Sequence, residues 1–210
     1  NSSGSIKNYD TNIYEAVMIN DLVYNSDSFI SKKGLTNNYN FVFKNVNTDS
    51  KNSSTYKQDR DHKIMSIFEY NSSYPLIKRM KDYQNILSPM LSLKFSPNDT
   101  KDLKNTDRRI DINNIFSINR IGQSDVVEGG ASLTYGAKFS KIDNFDKEIF
   151  TANIANILRI DENEDLPRNS ELGEKISAVV GEIAYTPSNN MKIKYNFSLD
   201  SNLNDKNYEL

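Results

Sequence analysis

The residues whose types could do chemistry are few in this chain and poorly grouped. Its one histidine, His62, has no cysteine to share a metal with, because the 210 residues contain none. A structural zinc needs four ligands of those types, so none is expected. A serine–histidine–acid set would also have to use His62. That residue sits in a weakly patterned stretch beside a charged loop, where an ordinary exposed polar residue is the simpler reading. The acidic run Asp161, Glu162, Glu164 and Asp165 offers oxygens for Ca²⁺. It lacks the D-x-D-x-D-G spacing and its glycine, so a solvated loop is expected instead. Gly129-Gly130 precedes a strand pattern rather than a helix and makes no phosphate cradle. Neither catalysis nor a cofactor nor a metal is predicted, and a net charge of −2 gives no basic field for nucleic acid.

The lysines are more orderly, and the elements that carry them explain why. In residues 131–140, Ala131, Leu133, Tyr135, Ala137 and Phe139 alternate with Ser132, Thr134, Gly136, Lys138 and Ser140. A period of two puts these sets on opposite faces of a strand. The same alternation opposes Tyr39, Phe41 and Phe43 to Lys44, and Leu91, Leu93 and Phe95 to Lys94. In residues 191–200 it opposes Met191, Ile193, Tyr195 and Phe197 to Lys192 and Lys194. Weaker strand patterns run over 13–24, 62–70, 148–158 and 176–186. The fold class predicted is all-β: an antiparallel transmembrane β-barrel segment of about eight to nine strands from a larger barrel. A mean hydropathy of −0.67 with no long apolar run excludes a transmembrane helix but not barrel strands, which alternate. In that reading Lys94, Lys138, Lys192 and Lys194 face a wet lumen suited to anionic, amphipathic cargo. In a soluble β-sandwich they would be the solvated surface, and alternation alone does not separate the two.

Connection lengths add an orientation. After residue 140 they run short, long, short, the rhythm of inner turns and outer loops in outer-membrane barrels. Extended backwards, it makes 97–129 one long outer loop. Residues 112–120 then belong to that loop, unless they form a strand and the rhythm fails there. Ile112, Ile115, Phe116, Ile118 and Ile121 are too apolar for a freely solvated loop, so it is expected to fold back inside with Phe116 and Ile118 packed inward. The chain opens without Met or a signal segment and stops where a loop pattern begins after a strand. Both ends suggest an internal fragment of one partial barrel domain, residues 1–210.

Three segments carry a family resemblance: ILSPMLSLKFSP, NIFSINRIGQSDVVEGGASLTYGAKF and LPRNSELGEKISAVVGEIAYTPSNNMKIKY. Together they resemble the C-terminal barrel of the lipopolysaccharide-assembly outer-membrane family LptD, the organic-solvent-tolerance proteins. The middle segment is the most specific, similar to the family's N-L-F…R-[FI]-G-x-D-x-x-E-G-G pattern followed by a T-x-G strand. Ala178 departs from the pattern, which has Asp after Ser177. The resemblance implies a Gram-negative cell outer-membrane barrel that transports lipopolysaccharide and inserts it into the outer leaflet. It implies a plug lipoprotein in the lumen and a periplasmic jellyroll bridge as partners, with no cofactor and no enzymatic activity. It also implies that the jellyroll and the strands of the lateral gate lie outside this chain. The cysteines that often couple the family's domains have no counterpart here. Phe116, Arg120, Gly122, Asp125, Glu128 and Gly129 match the motif. Arg120 with Asp125 or Glu128 would make the charge-assisted pair that holds the loop in the lumen. A nutrient porin or receptor barrel and a soluble sandwich module remain the alternatives.

Overall fold

The computed structural model describes residues 1–9, 11–188, 190–200, 202 and 204–209, the last five of these through their backbone alone. Among these residues twelve strands form one antiparallel sheet. They are β1 (Ser2–Tyr9), β2 (Ile13–Asn25), β3 (Phe29–Ile30), β4 (Thr36–Lys51), β5 (Asp59–Ser73) and β6 (Leu76–Arg79). Then follow β7 (Tyr83–Ser96), β8 (Gly130–Asp143), β9 (Glu148–Arg159), β10 (Val179–Ser188), β11 (Met191–Leu199) and β12 (Asp205–Glu209). The order is β1-β2-β4-β5-β7-β8-β9-β10-β11-β12, with β3 on β4 and β6 on β7. No helix among the described residues is long and apolar enough to cross a membrane, which says nothing about strands.

All eight stretches of alternation form strands, and the four additional strands have evident causes. β3 and β6 continue β2 and β5 after short breaks, the second at Tyr74-Pro75, where Tyr74 donates to the Pro89 carbonyl at 3.0 Å. β1 is exposed throughout and has little apolar patterning, so it is held by its ladder to β2. β12 occupies residues where a loop was expected; Phe197 pairs with Tyr208 in its ladder to β11. Ladder hydrogen bonds need no side-chain pattern, which is why both escaped the sequence.

Residues 97–129 contain no strand and return as turns, so 112–120 is not part of the wall. The long connections 52–58, 97–129 and 160–178 share one end of the sheet, and the turn 144–147 lies at the other. The faces are the reverse of a soluble sandwich. Phe68, Leu93, Phe95, Tyr135, Ile154, Ile183 and Ile193 are exposed on one face, Phe95 to 54%. The loop-side half of the polar face is covered by the chain's own loops, and among the described residues no second sheet lies on it.

The core lies between those loops and the polar face. Leu103, Ile110, Ile115, Ile121 and Val126 of 97–129, with Leu166 and Leu172 of the 160–178 loop, bury against Ala155, Ile157 and Val180. A second cluster sets Val127 and Ile118 against Ile19, Val42, Val46, Met65 and Ile67. Phe116 packs half-buried on the first cluster. One loop thus touches β2, β4 and β5 on one flank and β9 and β10 on the other.

Candidate functional site

Where that loop re-enters the wall, a charged node is buried. Glu128 is two residues before β8, and Gly129 and Gly130 turn the chain into the strand. A Cβ on Gly129 would lie 2.1 Å from the Asn98 carbonyl oxygen, so only glycine lets the two ends of the loop come this close. Gly130 and Gly122 take positive φ, 83° and 70°, which glycine adopts without strain.

Arg120 meets Glu128 as a fork. Its Nε donates to Oε2 at 2.5 Å and its Nη2 to Oε1 at 2.5 Å. Two of the remaining guanidinium hydrogens reach β8, donating to Ser132 Oγ at 2.6 Å and Thr134 Oγ1 at 2.9 Å, and Nη1 also donates to the Ile115 carbonyl of the loop at 3.4 Å. Arg159 of β9 donates to the same carboxylate and to the Gly129 carbonyl. Lys94 of β7 donates to the Ser117 carbonyl of the loop and lies 3.6 Å from Glu69 of β5. Glu69 accepts from Asn40 at 2.8 Å, Asn71 at 3.0 Å and Ser92 at 3.3 Å. Three cations and two carboxylates, all buried, thus join the loop to four strands, β5, β7, β8 and β9. Burial opposes the charged form of Glu128, yet Arg120, with Lys94 and Arg159, outweighs it and holds the carboxyl down at about 2. Removing Glu128 would leave Arg120 and Arg159 as uncompensated buried charges.

A second set of bonds joins the two long loops to each other. Thr100 Oγ1 accepts from Gly129 N at 2.8 Å and from Asn163 Nδ2 at 2.9 Å. Leu103 N donates to the Asp165 carbonyl at 2.7 Å, and Ile110 N to Ser170 Oγ at 2.7 Å. Residues 97–129 and 160–178 therefore form one packed unit on the polar face.

Of the two acids considered for Arg120, Glu128 is the partner. Asp125 instead binds Lys101 at 3.0 Å, whose ammonium lies 4.6 Å from the centre of the Tyr56 ring. Burial, then the neighbouring Asp125, raises the Tyr56 phenol to about 12. The lysine row also differs from a free cationic lining. Lys44 pairs with Asp21 at 2.6 Å, Lys138 with Glu148 at 3.6 Å and Lys194 with Glu182 at 2.5 Å. Lys94 is dry and faces Glu69 directly in the strand register. Only Lys192 of the five is exposed and has no ion pair among the described residues. Asp21, Glu69 and Glu182 were not singled out in the sequence, although each occupies the polar parity of its strand. Arg159, Ser132, Thr134 and Thr100 were missed too, because what joins them is register and loop return. Among the described residues no three potential metal-ligating side chains come together.

Such a node fixes the loop to the strands. The sequence matches the family LPS transport system D, LptD, over residues 23–209. The chain belongs to the LptD family. The node falls inside the matched region, as do the long loops and every strand from β3 to β12. No curated protein matches the chain. An all-β LptD sheet with its apolar face exposed and loops packed on its polar face is consistent with a barrel wall.

Proposed function

We propose that this chain is a wall segment of an outer-membrane barrel that delivers lipopolysaccharide to the outer leaflet. The observation that carries the reading is the orientation of an LptD-family sheet. Its strands present apolar side chains outward, while residues 97–129 and 160–178 pack onto the polar face. In lipid that orientation is the stable one, since apolar surface meets acyl chains and every charge on the polar face has a protein partner or water. The outward edges of β1 and β12 have no partner among the described residues, and bilayer-embedded strands must close into a barrel. Further strands of the same barrel would supply that closure.

In this reading 97–129 and 160–178 are outer loops folded into the lumen. The node of Arg120, Glu128, Arg159 and Lys94 keeps them seated. The paired lysines make the lumen polar but nearly neutral locally, so a sugar-bearing cargo is not trapped by a fixed cationic surface. A plug lipoprotein would share that lumen, and a periplasmic jellyroll bridge would meet the short-turn end. Conditional depletion of the protein in a Gram-negative cell tests the proposal. Newly made lipopolysaccharide should stop reaching the surface, read by its accessibility to an external modifying enzyme. Depletion with an unchanged surface supply would overturn it.

A further inference from the structure

At the end of the sheet with the short connections, two hairpins project past their neighbours. One is 26–35 with β3, the other 74–82 with β6. Among the described residues, β3 pairs only with β4 and β6 only with β7. Their apolar side chains are uncovered: Phe29, Ile30, Leu76, Ile77 and Met80 are all exposed, Ile30 to 73%. Phe145, at the tip of the β8–β9 turn, is exposed to 91%. The tips adjoin one another. A Cβ on Gly34 would lie 3.3 Å from the Tyr74 ring, and Asn144 Nδ2 donates to the Lys81 carbonyl at 3.1 Å.

Lys32, Lys33, Lys78, Arg79 and Lys81 interleave with these side chains, against Asp27 and Asp82 as the only acids of the two hairpins. All five bases are exposed, and none has an ion pair among the described residues. The lysines of the polar face, by contrast, are mostly matched to carboxylates. The opposite end is acidic: 160–178 carries six acids and two bases. Exposed apolar side chains beside unmatched bases need a partner that is apolar and anionic at adjacent depths. A leaflet with anionic headgroups offers both, phosphates for the bases and the acyl boundary for the aromatic and aliphatic groups.

We propose that this rim seats on anionic phospholipid in the leaflet next to the short-turn end, with Lys32, Lys33, Lys78, Arg79 and Lys81 on its phosphates. The inference rests on the barrel reading but not on what the barrel carries. It can therefore fail while lipopolysaccharide delivery stands, and the reverse. The test uses the whole protein bearing this chain, in nanodiscs of phosphatidylcholine with or without phosphatidylglycerol. Phosphatidylglycerol should raise the unfolding temperature, and native mass spectrometry should count retained phosphatidylglycerol. Replacing the five bases by Gln should abolish both effects and leave the phosphatidylcholine value unchanged. Should that variant not fold, Lys32→Gln/Lys33→Gln and Lys78→Gln/Arg79→Gln each should give a partial loss. Equal stability in the two lipids, or variants that respond as the native protein does, would overturn the proposal. Capture of a second protein by this rim, with indifference to phosphatidylglycerol, would overturn it in favour of a protein partner.

Discussion

Glu128 is the residue on which the seating of the loop turns. It is shared by Arg120 from the loop and Arg159 from the wall, so its loss uncouples both at once. Glu128→Gln should cost about 3–5 kcal/mol, the usual penalty for leaving one side of a buried ion pair unmatched. Lys138→Gln, at a half-exposed pair, should change stability little. Thermal unfolding in detergent compares the two, and equal effects would contradict the assignment. The pH dependence has a definite sign. A carboxyl depressed from 4.5 to about 2 stabilises the fold fully above the ordinary value and loses that contribution as pH falls toward 2. The native protein should therefore lose stability between these values, and Glu128→Gln should flatten that limb. The sequence made this pair visible as a motif, since Arg120 and Glu128 are eight residues apart within one resembling segment. It did not distinguish Glu128 from Asp125, because that choice depends on how the loop turns.

Among the elements, the seam between β5 and β7 is, together with that between β9 and β10, the shortest long-strand pairing around this loop. It joins Phe68–Ser73 to Met90–Phe95, six pairs, against fifteen for β4 with β5 and fourteen for β7 with β8. Beyond it, no strand among the described residues pairs with residues 59–67 of β5 on that side. Asn98 covers the edge, accepting from Ser66 N at 2.7 Å and donating to the Ile64 carbonyl at 3.2 Å. Amides of Arg60, His62 and Ile64, which share the direction of Ser66 N, should exchange faster than those of Lys63 and Met65, which face β4. Residue-resolved hydrogen exchange in micelles would show it; uniform protection along β5 would argue against an open edge. Alternation placed β5 and β7 in the sequence because each side chain reports its own face. Register is a relation between strands, and nothing in either pattern states how far they overlap. For the same reason β1 and β12, which ladder bonds hold, were not legible.

For the whole molecule, the sequence conveyed the fold class because lipid reverses the usual assignment without changing the period. Tyr135, Ile154 and Ile183 look alike in a sandwich core and on a barrel exterior; only the covering of the opposite face tells them apart. That covering comes from 97–129, whose apolar residues Ile115 and Ile121 already argued against a solvated loop. The central claim is that the aromatic face meets lipid and the lysine face the lumen. Spin labels at Leu133, Ile154 and Ile183, and at Lys138 and Lys194, in the protein reconstituted into bilayers, test it most directly. The first set should be relaxed by oxygen, which partitions into acyl chains, and the second by a water-soluble nickel chelate. Labels at Leu133, Ile154 and Ile183 that respond to the chelate as strongly as those at Lys138 and Lys194 would contradict the account.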